Sequence, residues 1–153
     1  MSLQLSSPAF EQNEKIPSVY TCDDRNISPP LEWSQVPGET RSFAIIFDDP
    51  DAPSKTWVHW LLYNIPGDWT GLEAQVEEDE EIAGGALHGV NDFGNYGYGG
   101  PCPPGGTHRY HMKLYALDTL LEIDPGVMKK ELLQAMEGHV IEQAELVGRY
   151  SRS

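Results

Sequence analysis

The chain has 153 residues, enough for a single domain over 1–153 with a core that needs no metal or disulfide to hold it. Its 24 Asp and Glu against 10 Lys and Arg give a net charge of −14, a field that repels nucleic acid and anionic membrane surfaces. No apolar run approaches the roughly 20 residues a membrane-spanning helix requires, so stable membrane insertion is not expected.

The N-terminus, MSLQLSSPAF, lacks the basic and apolar segments of a secretion signal. Cys22 and Cys102 lie far apart without CxxC spacing, which predicts reduced thiols and a cytoplasmic protein. The first 40 residues are punctuated by SSPAF, ISPPLEW and VPGET, as suits short strands between irregular loops.

From Phe43 to Phe47 the chain is continuously apolar, then stops at the DDPDAP turn; this is the pattern of a strand buried on both faces. TWVHWLLYNIP is a second central strand. Period two places His59 with Trp57, Leu61, Tyr63 and Ile65, opposite Val58, Trp60 and Leu62. EAQVEEDEE, residues 73–81, carries six carboxylates and no base, and should be a solvated loop or edge.

The segment GGPCPPGGTHRYHM holds four glycines and three prolines directly before a strand-like run. Past that loop, His108, Tyr110, Met112, Leu114 and Ala116 alternate with Arg109, His111, Lys113 and Tyr115, so His108 and Tyr110 enter at the rim of a core and need polar partners. A helix is predicted with Asp124 as N-cap, Pro125 at its first position, an apolar face of Met128, Leu132, Ala135 and Met136, and Gly138 as its stop. VIEQAELVGRYSR closes the chain and inclines to strand. Together these elements predict a mainly β fold: an antiparallel two-sheet β-sandwich with one or two peripheral helices.

Three polar groups could meet if the strands are neighbours: Asp48, Asp49 and Asp51 after the first buried strand, His59 inside the second, and His108 with Tyr110 after the glycine–proline loop. A buried histidine needs a hydrogen-bond partner, and carboxylates are at hand. DDPDAPSKTWVHWLLYNIP followed by NDFGNYGYGGPCPPGGTHRYHMKLYALD resembles the phosphatidylethanolamine-binding protein family, which includes Raf kinase inhibitor protein, and within it the compact bacterial and archaeal branch. The resemblance runs from SPAF to the closing AMEGHVIEQAELVGRY.

That resemblance implies Greek-key connections between the two sheets and a small anion-binding cavity at one end of the sandwich. The ligand-binding groups it implies fall on Asp49, His59, His108 and Tyr110 with the Gly100 amide as donor. Pro53 and Pro101 form walls and Asp51 supports the loop. On this reading the glycines let backbone N–H groups approach the anion, and the prolines hold the loop in place. The implied function is non-catalytic binding of phosphate or of a phosphorylated small molecule or protein, with kinase or protease regulation as its use. Neither cofactor nor metal is called for, and homodimers are expected by analogy with the compact relatives.

Two other chemistries share these residue types. An acid–base hydrolase could employ His59 or His108 with Asp49. Two histidines and two aspartates could also ligate a metal, although DPD and HxY match no metal spacing. Cys102, set among prolines, offers no reason for an activated thiolate.

Overall fold

The computed structural model describes residues 2–152. Three strands form a small antiparallel sheet in the order β1 (Gln4–Ser6), β2 (Leu31–Ser34) and β5 (Gly71–Leu72). Five strands form the larger one: β6 (Leu87–His88), β4 (Trp57–Pro66), β3 (Ser42–Asp49), β7 (Thr107–Leu117) and β8 (Val140–Ser151), in that spatial order and antiparallel throughout. The chain leaves the large sheet after β4 to make β5, returns as β6, and crosses to the far side of β3 as β7. Irregular segments and a single 3-10 turn at Ser18–Tyr20 fill the N-terminal part.

The uninterrupted apolar run of β3 follows from its central place. Phe43, Ile45 and Phe47 join the core that also holds Trp33, Trp60 and Leu114, whereas Ala44 and Ile46 pack on the opposite face with Leu61, Tyr63, Leu132 and Met136. Both faces are dry, so every residue of β3 is buried, including Asp48 and Asp49 at its end. On β7 the predicted alternation holds, with His108, Tyr110, Met112, Leu114 and Ala116 all buried. The six carboxylates of residues 73–81 are exposed, which spares them desolvation and mutual repulsion.

On β4 the simple period-two pattern fails. Phe47 pairs with Trp60 but Asp48 pairs with Val58, so β4 carries an extra residue at position 59; a second shift, between the Ile45–Leu62 and Phe43–Ile65 pairs, puts Ile65 in the core with Phe43 and Phe47 and not with Leu61 and Tyr63. The bulge at position 59 turns His59 away from Leu61 and Tyr63 and onto the Phe47 side, with ring centroids 5.5 Å apart.

The helix begins later than the sequence suggests. It spans Lys129–Met136 with Met128 as its N-cap, and Asp124 instead precedes a turn at Pro125–Gly126. The reason lies at Gly126, whose φ of 91° is outside the helical region and whose N–H donates to the His88 carbonyl. Helix geometry starts only where the Glu131 carboxylate accepts from the Met128 N–H, at 2.8 Å. Leu132 and Met136 are buried against the large sheet, and Gly138, at φ 82°, follows the helix end.

The cysteines contradict the expectation of free thiols: Cys22 and Cys102 form a disulfide. Two contacts bring the loops together, from the Cys22 N–H to the Pro101 carbonyl and from the Gly100 N–H to Asn26 Oδ1, leaving the two Cα atoms 5.4 Å apart, within bonding range. Sequence separation concealed a proximity that exists only once the two loops dock. The cysteines therefore give no support to a reducing compartment. Among the described residues, no helix is long and apolar enough to cross a membrane.

Candidate functional site

One end of the sandwich encloses a cavity of about 230 Å³. Asp49, His59, His108 and Tyr110 all line it, so the three segments that the sequence singled out converge there. Each arrives for a local reason. Asp49 ends β3, and its Oδ1 accepts the N–H of Asp51 at 2.8 Å, a tight turn that fixes the carboxylate. Its Oδ2 accepts from His108 Nδ1 at 2.6 Å, and both side chains are buried. Because a carboxylate can only accept, Nδ1 of His108 bears a hydrogen and Nε2 is the free position.

His59 reaches the cavity through the bulge of β4. The bulge also releases its backbone carbonyl from the ladder to accept from the Gly99 N–H at 2.9 Å, while His59 Nδ1–H donates to the Gly99 carbonyl at 2.6 Å. This reciprocal pair clamps the glycine–proline loop to the sheet. Burial pushes the His59 imidazole below its ordinary value of 6.5, offset in part by the Gly99 bond and by the charges of Asp49, Asp48 and Asp92. The ring is therefore neutral near pH 7, with its hydrogen on Nδ1.

Tyr110 packs between the two histidines, its ring edge-on to His59 at 5.3 Å and nearly parallel to His108 at 6.2 Å. Its hydroxyl is buried and donates to no group of the protein, while the Cys102 backbone comes near it without completing a well-formed hydrogen bond. Burial first, then the charges of Asp49 and Asp51, drive this phenol well above its ordinary value, with the Cys102 backbone as a smaller opposing influence. A neutral hydroxyl without a partner is a donor held ready.

Other residues fall elsewhere. Asp48 points away from the cavity to the opposite face of β3, where it bonds Lys129 Nζ at 2.7 Å and lies 3.5 Å from Lys113 Nζ. Asp51 serves the loop: its carboxylate accepts from the Arg109 guanidinium and backbone N–H, and these bonds lower it to about 2. Pro53 lines the cavity as expected, but Pro101 does not; its carbonyl accepts from the Cys22 N–H.

Gly100 also departs from expectation. Its N–H is taken by Asn26 Oδ1 at 2.8 Å, and the residue borders a neighbouring cleft instead of this cavity. Glycine is needed there for another reason: an added Cβ would lie 2.2 Å from the Tyr20 carbonyl oxygen and 2.5 Å from Asn26 Oδ1. The close approach is to the protein's own backbone.

Sequence reasoning missed the rest of the lining. Phe93 and Trp57, edge-to-face at 5.5 Å, stand at the cavity with Pro103, Pro104 and Cys102. Trp57 shared the side of β4 assigned to His59, which was a usable signal. Phe93 sits in the NDFGN turn, where Asn91 Oδ1 accepts from the Phe93 and Asn95 N–H groups and so projects the ring outward.

Comparison with known proteins agrees with this architecture. The family described as phosphatidylethanolamine-binding protein matches residues 6–151. A UPF0098 protein of Methanothermobacter thermautotrophicus is 55% identical over 150 residues, spanning 98% of this chain and 99% of its own. The crystal structure of the PEBP homolog CT736 from Chlamydia trachomatis superposes with a TM-score of 0.92 at 41% identity, covering 99% of both chains. E. coli YBCL, described as a new member of the mammalian PEBP family, gives a TM-score of 0.92 at 34% identity over 100% of each chain. With the sandwich, the sequence motifs and a match over nearly its whole length in agreement, this chain belongs to the phosphatidylethanolamine-binding protein family.

Proposed function

We propose that the cavity captures a small oxyanion, phosphate or the phosphoryl group of a small molecule or protein, without covalent chemistry. One observation carries this reading: two buried histidines each anchor one ring nitrogen to the protein, at Asp49 and at Gly99, and present the other to the same cavity beside the partnerless Tyr110 hydroxyl. Such groups, buried and fixed by their neighbours, bind a ligand without first being ordered. The one cysteine in the lining, Cys102, is held in a disulfide and offers no thiolate nucleophile, which favours capture over covalent turnover. Regulation of a kinase or protease would then follow from occupancy of the cavity by a phosphorylated partner.

Calorimetric titration of inorganic phosphate into the wild type and His108→Ala tests the proposal. Loss of a hydrogen bond to a charged group should weaken affinity by about tenfold or more. Equal affinity in both proteins would place the anion elsewhere.

A further inference from the structure

The cavity is unusual for an anion site in the sign of its fixed charge. Asp49 lies in its lining and is 2% exposed, while no lysine or arginine among the described residues lines it. A fully deprotonated dianion would be brought against a buried carboxylate in a region of low dielectric, where like charges repel strongly.

The hydrogen-bonding polarity of the lining is mixed. Tyr110 can donate, and so can His108 from Nε2 when both nitrogens of that ring carry hydrogen, its Nδ1–H being held by the Asp49 carboxylate. His59 cannot do so from its free nitrogen while the ring is neutral: its Nδ1 faces a carbonyl, which accepts only, so the hydrogen resides there and Nε2 keeps its lone pair. Burial at 3% exposure disfavours adding a second proton. The charged groups acting on this ring are Asp49 and Asp48 of β3 and Asp92 after β6, with His108 and Tyr110 of β7 alongside. Lys55 bonds Asp92 at 3.2 Å but stays largely in solvent.

Resting on the anion-capture reading, we infer that the cavity selects oxyanions that still carry an acid proton, hydrogen phosphate and phosphomonoester monoanions, over fully deprotonated ones such as sulfate, with His59 Nε2 accepting that proton's hydrogen bond. The ligand would accept from Tyr110 and His108 and donate to His59. Sulfate meets the same donors but leaves the His59 lone pair facing an oxygen lone pair. A buried acceptor left unpaired by the wrong ligand is a strong source of discrimination.

Calorimetry with matched anions tests this. Near neutral pH, inorganic phosphate should bind at least about 100-fold more tightly than sulfate. In mildly acid buffer, below the second ionisation of a phosphomonoester at about 6, methyl phosphate and methyl sulfate have the same charge and nearly the same shape, and methyl phosphate should again bind more tightly. His59→Gln, whose amide can turn an N–H toward the ligand, should bring the phosphate-to-sulfate ratio toward one. Sulfate binding as tightly as phosphate to the wild type would overturn the selectivity and leave the anion site standing, whereas failure of both anions to bind would overturn both. A ratio unchanged in folded His59→Gln would remove His59 from the role; should that variant not fold, the wild-type pairs decide alone.

Discussion

Asp49 illustrates how one side chain can be both structural and functional. Its two oxygens are divided between the Asp51 N–H and His108 Nδ1, so it closes the turn and orients the imidazole at once. Asp49→Asn keeps the size but can offer an N–H where His108 also offers one, which would rotate the ring or break the bond. Phosphate affinity should fall by about tenfold, read by titration calorimetry, with a smaller loss of stability. Gly100 makes a contrasting case. The family resemblance implies a ligand contact there, yet its N–H and its missing Cβ both answer to the Tyr20–Asn26 segment. Gly100→Ala should therefore lower stability by about 2 kcal/mol in denaturant titration by forcing the two loops apart.

At the scale of elements, the strands were legible because their burial is simple. β3 is dry on both faces and reads as a solid apolar run; β7 is dry on one and reads as an alternation. What the sequence hid were departures from periodicity. The bulge at His59 has no marker in TWVHWLLYNIP, and without it period two assigns the histidine to the wrong face. The helix start moved for a similar reason, since the Gly126 N–H bonds a distant carbonyl that no local pattern reveals. The pairing of Cys22 with Cys102 likewise depends on loops that meet only in the folded chain.

That disulfide fastens the loop carrying Cys102, part of the cavity wall, to the N-terminal segment. It closes a loop across 80 positions, for which the chain-entropy argument gives about 4 kcal/mol of stabilisation. A Cys22→Ala/Cys102→Ala protein should be less stable by an amount of that order in denaturant unfolding, and should bind phosphate more weakly as the wall loosens. Unchanged stability would mean that the oxidised bond contributes nothing to the fold.

For the whole molecule, acid should act through histidines before it acts through most carboxylates. His59 and His88 are both pushed below the ordinary 6.5, in each case chiefly by burial. His88 is fully enclosed, donating from Nδ1 to the Asp79 carbonyl and accepting at Nε2 from Trp60 Nε1, so protonation would break the Trp60 bond. Below pH 6.5 the unfolded chain takes up protons that these two sites refuse in the fold; stability falls as pH drops through that region and is unaffected by them at higher pH. Denaturant midpoints measured between about pH 8 and 5 should decline from near 6.5, and His88→Gln should reduce the slope. A flat profile would show that neither ring resists protonation.

On the proposed function, an oxyanion is held between His108, Tyr110 and His59 in the cavity at the end of the sandwich. The most direct test is a crystal structure of the protein soaked in phosphate at saturating concentration. One tetrahedral anion should lie within hydrogen-bonding distance of His108 Nε2, Tyr110 Oη and His59 Nε2. An empty cavity under those conditions, or phosphate bound only at surface cations such as Arg149, would contradict it.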